Sequence, residues 1–147
     1  MEGLITIRYS IRPSTIADAG KGFFVEEPAT AGRVLMAPTN VTETVRLDRI
    51  LSERSHPHAH TSVVWFEDHC VVSPDLPDDY FINHSFRPNG LWHLGFVFAL
   101  RDLHVGEELL LDYRHLIAPG YTMEFRDGET GREIDRKSTR LNSSHRL

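Results

Sequence analysis

The sequence has one cysteine among its 147 residues and no long apolar run. A single cysteine excludes an intramolecular disulfide and a cysteine-rich zinc cluster. The position of Cys70 beside Val71 and Val72 predicts a small, buried side chain in a strand. A helix that spans a bilayer needs about 20 apolar residues, and residues 1–3 lack the basic start of a signal peptide. We therefore expect a cytoplasmic protein that is not bound to a membrane.

Long helical periodicity and the alternation of strands with helices are also missing. Short apolar and β-branched runs alternate with turns that contain glycine or proline, which predicts a mostly-β chain with one short helix at 48–54. Residues 94–103 and 108–113 predict a hairpin-like pair across 104–106. The other predicted strands lie at 4–9, 23–25, 33–37, 61–66 and 70–72, with the last two paired around 67–69.

The glycines of residues 20–22 lead into a predicted strand and not into a helix. No third glycine follows at the spacing that a dinucleotide-binding loop requires, so a Rossmann-type cofactor site is excluded. The glycine pair then indicates a tight backbone approach to a neighbouring strand or to a ligand.

We expect the C-terminal residues 135–147 to differ in origin from the rest of the chain. Residues 135–145 resemble the translation of a common DNA-sequencing adapter, so we predict a single domain at 1–134 and a non-native tail at 135–147. Without the tail, which holds four Lys/Arg and one Asp, the chain has 12 basic and 20 acidic residues and a net charge of −8 instead of −5. This charge disfavours direct nucleic-acid binding and attracts a basic peptide, with solubility alone as an equally weighted explanation.

Three histidines raise the possibility of a metal site. His56, His58 and His60 recur at every second residue and would share one face of an extended segment, where they could hold zinc or another divalent ion. Pro57 interrupts a regular strand, and solvated loop histidines are the favoured interpretation. A His-dependent metal-binding β-barrel protein is kept as an alternative.

Two further patterns carry little catalytic weight. Ser85 and His84 are adjacent, so their side chains diverge in an extended backbone, and no G-x-S-x-G turn frames the serine. The acid pairs at 78–79 and 107–108 lie near turns, where we expect solvated carboxylates. Neither pattern supports hydrolytic chemistry.

Two segments carry the strongest functional signal. Residues 81–89 read F-I-N-H-S-F-R-P-N, and residues 106–113 read G-E-E-L-L-L-D-Y. In this order and separation, after the glycine turn at 20–22, they resemble the active-site segments of the SET-domain protein lysine methyltransferases. The resemblance spans roughly residues 5–116, and short, free-standing bacterial members are the most similar.

The resemblance implies a β-clip fold of short curved sheets, with a C-terminal pseudoknot that brings the two segments together. It implies S-adenosylmethionine as the cofactor and methyl transfer to an exposed lysine in a basic segment of a protein substrate. The implied site residues are the catalytic Tyr113, the cofactor-binding Lys21, Gly22, Phe23, Asn83 and His84, and the substrate-channel residues Tyr80 and Trp92. Core packing is an equally weighted role for Trp92.

The sequence departs from the family pattern at two places. Phe86 stands where many relatives have cysteine, and the cysteine-rich zinc segment that often covers the cofactor is absent. We expect residues 117–134, with Tyr121 and Phe125 as covering side chains, to substitute for that segment or to be incomplete. A non-catalytic SET-like module that binds a lysine-containing peptide is therefore the main alternative, ahead of the metal-binding β-barrel.

Overall fold

The part of the chain that this computed structural model describes comprises residues 3–39, 41–52, 63–71, 78–117 and 120–136. Strands dominate these ranges and helix is sparse, which confirms the predicted mostly-β class. No helix in them is long and apolar enough to cross a membrane. Residues 137–147 lie outside the described ranges, so the predicted domain boundary at 134 stays a prediction.

The described ranges contain short strands, one α-helix and two 3₁₀ turns. Helix α1 spans Leu47–Ser52 and begins one residue before the helix predicted at 48–54, whose residues 53 and 54 lie outside the described ranges. The 3₁₀ turns span Asp78–Phe81 and Tyr113–His115. The strands are β1 (Gly3–Ile5), β2 (Tyr9–Pro13), β3 (Lys21–Val25), β4 (Val34–Pro38), β5 (Val45–Arg46), β6 (Val63–Phe66), β7 (His69–Val71), β8 (Asn83–His84), β9 (Gly90–His93), β10 (Phe96–Ala99), β11 (Leu110–Leu111), β12 (Thr122–Arg126) and β13 (Glu133–Asp135).

The largest sheet of the described chain is antiparallel and has the strand order β1-β4-β10-β9. In it, Met36 is opposite Ile5 on one side and Val97 on the other, so these three apolar side chains form a row that packs into the core. The smaller sheets pair β2 with β3 and β12 with β13, and place β7 between β5 and β6.

Strand β3 is buried on both of its faces. Phe23 and Val25 belong to the main core, together with residues of β4, β10 and β11. Phe24, on the opposite face, is covered by the guanidinium of Arg12, which lies 4.1 Å from the ring centroid. Full burial of such side chains contributes about 1.5–3 kcal/mol each, so β3 is a central source of stability.

Cys70 is buried, as predicted, with 1% of its surface exposed. It forms a second, smaller core with Ile50 of α1, and burial raises the pKa of its thiol to about 11. The side chain therefore stays a neutral thiol at neutral pH.

Strands β8 and β11 form a short parallel pair in which Asn83 is opposite Leu110. Asn89 supports this pair from the side, because its Nδ2 donates to the Glu108 carbonyl oxygen (2.8 Å) and its Oδ1 accepts from the Leu110 N–H (2.8 Å). The Ser85 N–H adds a backbone bond to β11 at 2.9 Å. These bonds hold together the two segments that the sequence singles out.

The prediction of a hairpin-like pair between residues 94–103 and 108–113 is wrong. Strand β10 pairs with β9 and β4, whereas β11 pairs with β8. The turn at 104–106 does not join two paired strands. Before the turn, Leu103 forms a β-bridge with Ala29, and after it the chain runs along β3. Burial of Leu111 of β11, and of Leu109 just before it, in the main core outweighs the local turn signal.

The other strand predictions differ mainly at their ends. The predicted strand at 4–9 is divided, since β1 pairs with β4 whereas β2 pairs with β3. The predicted strand at 23–25 begins earlier, at Lys21. Strands β6 and β7 pair antiparallel around Glu67–Asp68, as predicted, and residues 61, 62 and 72 of those predictions lie outside the described ranges.

Replacement of Asn89 with Ala should destabilise the protein by about 2–4 kcal/mol, because each backbone group left buried without a partner costs about 1–3 kcal/mol. Chemical denaturation followed by circular dichroism measures this loss. Asn83→Ala is the matched control, since Asn83 is less buried and its side chain makes one hydrogen bond among the described residues, to the Lys21 carbonyl oxygen. Equal losses in the two variants would contradict the role assigned to Asn89.

Candidate active site

A cleft of about 660 Å³ lies between the parallel β8–β11 region and the last hairpin, β12–β13. Its walls come from parts of the chain that are far apart in sequence. The lining residues are the loop 16–19, Asn83, His84, Tyr113, the hairpin residues 125–128, and Ile134. Three of the predicted site residues therefore meet in one cleft.

Asn83 and His84 reach the cleft from β8. The Asn83 Nδ2 donates to the carbonyl oxygen of Lys21 (2.9 Å), which ties β8 to the start of β3. The buried His84 accepts the backbone N–H of Tyr113 at its Nδ1 (3.0 Å). Burial lowers the pKa of His84, although nearby carboxylates oppose this shift. The imidazole is therefore neutral at neutral pH.

Tyr113 lies at the start of the second 3₁₀ turn. Its hydroxyl donates to the carbonyl oxygen of Ile82, and its ring makes edge contacts with His84 (5.3 Å between centroids) and Phe125 (6.2 Å). Burial raises the pKa of Tyr113 to about 12, so the phenol keeps its proton at neutral pH. The oxygen donates to Ile82 and keeps lone pairs with which it can accept a further hydrogen bond.

Glu108 holds the loop that forms one wall of the cleft. Its carboxylate accepts from the Ser14 hydroxyl (2.7 Å) and from the backbone N–H (3.0 Å) and hydroxyl (3.2 Å) of Thr15. A Cβ at Gly22 would lie 2.7 Å from a Glu108 carboxylate oxygen. The second glycine of the 20–22 turn is therefore needed because a side-chain carboxylate passes close to the backbone.

The hairpin β12–β13 supplies the opposite wall. Phe125 lines the cleft while 49% of its surface stays exposed, and Asp127 caps the turn by accepting the Thr130 N–H (2.9 Å) and hydroxyl. A Cβ at Gly128 would lie 2.6 Å from Ile16, so the hairpin tip is in close contact with the loop 16–19. The cover expected at 117–134 thus overlaps this hairpin, which ends at Asp135. Of the two predicted covering side chains, Phe125 lines the cleft and Tyr121 does not.

Phe86, which departs from the family pattern, packs behind His84. Its ring meets the His84 ring edge-on (4.5 Å), and the guanidinium groups of Arg114 and Arg132 lie 4.9 and 4.6 Å from its centroid. Burial raises the pKa of Asp112, but hydrogen bonds from Arg114 outweigh this effect and hold the pKa below its ordinary value. Phe86 therefore connects the hairpin to the turn after β11 through cation–π contacts.

The remaining predicted residues lie outside the cleft lining. Lys21, Gly22 and Phe23 are in β3. Phe23 is fully buried, its ring is stacked on Tyr9 (4.6 Å), and its carbonyl oxygen accepts the Leu109 N–H, so it presents no exposed surface to a ligand. Trp92 packs against the main core from β9. Tyr80 lies in the 3₁₀ turn at 78–81 and is half-buried.

Sequence reasoning missed the loop 16–19, Glu108 and Asp127. Glu108 was expected to be solvated, and this is wrong, because only 6% of it is exposed and three donors of Ser14 and Thr15 compensate its burial. The Asp-Gly pair at 127–128 is a hairpin signal that would have located Asp127. The residues of the loop 16–19 carry no comparable signal.

The structure describes no set of three or more His, Cys, Asp or Glu side chains placed to hold a metal ion. That observation covers only the described ranges. His56, His58 and His60 lie outside them, so the alternative of a histidine metal site stays a prediction.

The comparison with protein families identifies a known domain. A model of the SET domain matches residues 20–114, which is more than half of the chain. No curated protein matches the sequence. The matched range includes the glycine turn, both predicted active-site segments and Tyr113, and it ends before the hairpin β12–β13.

Glu108→Gln should destabilise the protein by about 1–3 kcal/mol, because the amide has one acceptor oxygen where the carboxylate has two. Urea denaturation measures the change. Glu107→Gln is the matched control, since Glu107 is less buried and pairs with the exposed Arg101. An equal loss of stability in Glu107→Gln would show that the burial of Glu108 does not cause the effect.

The Tyr113 phenol should ionise at about pH 12, the value to which burial raises its pKa. Because the folded state holds this proton more tightly than the unfolded state, stability should fall as the pH rises from about 10, the ordinary tyrosine pKa, to 12. Tyrosinate absorbance, followed with rising pH in the wild type and in Tyr113→Phe, measures this ionisation as a late step near pH 12. Tyr121→Phe, an exposed control, should retain it. A late rise in absorbance that keeps its full amplitude in Tyr113→Phe would contradict the assignment.

Proposed function

The chain belongs to the SET-domain family, and on that basis we propose that it transfers a methyl group from S-adenosylmethionine to a lysine side chain of a protein substrate. The family generally includes S-adenosylmethionine-dependent lysine methyltransferases. The observation that carries the proposal is the presence of Asn83, His84 and Tyr113 in one cleft.

The cleft fits a nucleoside-sized cofactor. Its volume of about 660 Å³ lies within the range of roughly 300–1,000 Å³ that is usual for small-molecule sites. Ile16 and Ala17 offer an apolar wall, the exposed face of Phe125 is suited to cover a purine ring, and Asn83 and His84 supply polar groups. When bound, S-adenosylmethionine supplies a sulfonium methyl group that a nitrogen atom can take by in-line displacement.

The proposed cofactor residues of β3 would act on the cofactor site without lining the cleft. Because Phe23 is fully buried and its carbonyl oxygen accepts the Leu109 N–H, Phe23 would support the cofactor site from the core side of β3. The Lys21 carbonyl oxygen accepts a hydrogen bond from Asn83, which links the exposed start of β3 to the start of β8. The two strand ends would therefore bind the cofactor together. Gly22 would act through its backbone, which lies close to the Glu108 carboxylate because the residue has no side chain.

The lysine amine must be neutral to accept the methyl group. A free lysine has a pKa near 10.4, so its deprotonation at pH 7 costs about 4.6 kcal/mol. Tyr113, with its pKa raised to about 12, cannot serve as the base. Its hydroxyl donates to Ile82 and accepts an N–H from the amine, which orients the nitrogen lone pair. An apolar channel that includes Tyr80 and Trp92 would lower the pKa of the lysine by desolvation.

The charge of the chain supports a basic segment around the target lysine. The net charge is −5 for the whole sequence and −8 without the C-terminal residues 135–147. A negative surface raises the local concentration of a cationic peptide and speeds its association. The proposed substrate is therefore a protein with an exposed lysine among other basic residues.

Tyr113→Phe should lower kcat by about 100-fold or more, because the amine loses the hydroxyl that orients it. The affinity for S-adenosylhomocysteine should change little. Calorimetric titration measures the affinity, and methylation of a panel of lysine-rich peptides by the wild type and the variant measures kcat.

Tyr121→Phe is the matched control, since Tyr121 is exposed and does not line the cleft. It should keep wild-type activity. A wild-type protein that binds no cofactor would contradict the proposal, and cofactor or peptide binding without turnover would support a non-catalytic module. Undiminished turnover by Tyr113→Phe would show that another residue orients the amine.

A further inference from the structure

Two buried polar atoms face each other across the joint between β8 and the last hairpin. The Nε2 of His84 and the Oδ1 of Asp127 are 4.0 Å apart, and the two side chains are 2% and 1% exposed. Neither atom has a hydrogen-bond partner among the described residues. Buried polar atoms without partners are rare, so their position opposite each other requires a reason.

The tautomer of His84 follows from its other nitrogen. The Nδ1 accepts the backbone N–H of Tyr113 at 3.0 Å, so the single proton of the neutral ring must be on Nε2. Asp112 also lies near the ring, 4.0 Å from Nδ1, but its oxygens accept hydrogen bonds from Arg114. Glu129 adds a carboxylate charge on the hairpin side. The Nε2–H therefore faces Asp127.

Asp127 needs both of its oxygens in this position. Its Oδ2 accepts the N–H and the hydroxyl of Thr130 at the hairpin turn, which leaves Oδ1 for the Nε2–H of His84. The gap of 4.0 Å exceeds an ordinary N–H···O distance by about 1 Å. At this distance the negative charge of the carboxylate still favours the proton on Nε2.

We propose that Asp127 is a positioning residue, which holds His84 in the Nε2–H tautomer so that Nδ1 remains free to fix the Tyr113 backbone at the cleft. The inference rests on the proposed function, because Tyr113 is the residue that orients the lysine amine there. Asp127 lies beyond the range matched by the family model, so it is a contribution of this chain's own C-terminal hairpin.

Asp127→Asn is the discriminating variant. The amide has the same shape but one acceptor oxygen, which cannot serve the Thr130 N–H and the His84 Nε2–H together. We expect a detectable fraction of the Nδ1–H tautomer of His84 in ¹⁵N imidazole spectra, and amide exchange at Tyr113 that is at least about tenfold faster than in the wild type. The kcat for methyl transfer should fall by about tenfold, a larger change than that in the affinity for S-adenosylhomocysteine.

Thr130→Ala is the matched control, because it removes a bond to Oδ2 of Asp127 and leaves Oδ1 opposite His84. It should keep the wild-type tautomer and kcat. A pure Nε2–H tautomer in Asp127→Asn would overturn the proposal, as would a Thr130→Ala variant that reproduces the tautomer change and the loss of kcat. The imidazole spectra need no methyl transfer, so they decide the role of Asp127 even if the protein proves to be inactive.

Discussion

The parallel pairing of β8 with β11 brings His84 within hydrogen-bond reach of Tyr113, although 29 positions separate them in the sequence. Parallel strands cannot be joined by a tight turn, so the chain must make an excursion between them. That excursion consists of β9 and β10, which complete the largest sheet. Because the pair has only two residues in register, the buried amide of Asn89 carries much of its stability. Fold and site thus depend on the same few bonds.

Buried carboxylates connect this central pair to its surroundings. Glu108 holds the loop that precedes β3, Asp112 holds Arg114 against Phe86, and Asp127 closes the turn of the last hairpin. A buried charge without partners is costly, so each carboxylate restricts its neighbours to the arrangement that supplies its donors. The walls of the cleft are therefore positioned by polar bonds, whereas the core behind them is positioned by apolar packing.

Local patterns predicted some of these features and not others. The mostly-β class and the burial of Cys70 followed from short apolar runs, and they are confirmed. The hairpin predicted across 104–106 failed, because a turn signal does not show which distant strand the next segment will join. The solvated state predicted for Glu108 failed because its donors, Ser14 and Thr15, are 94 and 93 positions away.

The sequence by itself determined the family, because the segments 81–89 and 106–113 and the glycine turn retain their order and spacing. It also indicated Asn83, His84 and Tyr113, which lie within those segments. Only the tertiary structure decided which of the predicted residues line one cleft, and that Asp127 faces His84 there. The physical reason is that motifs record the chemistry of short segments, whereas the partners of a buried polar group are set by long-range packing.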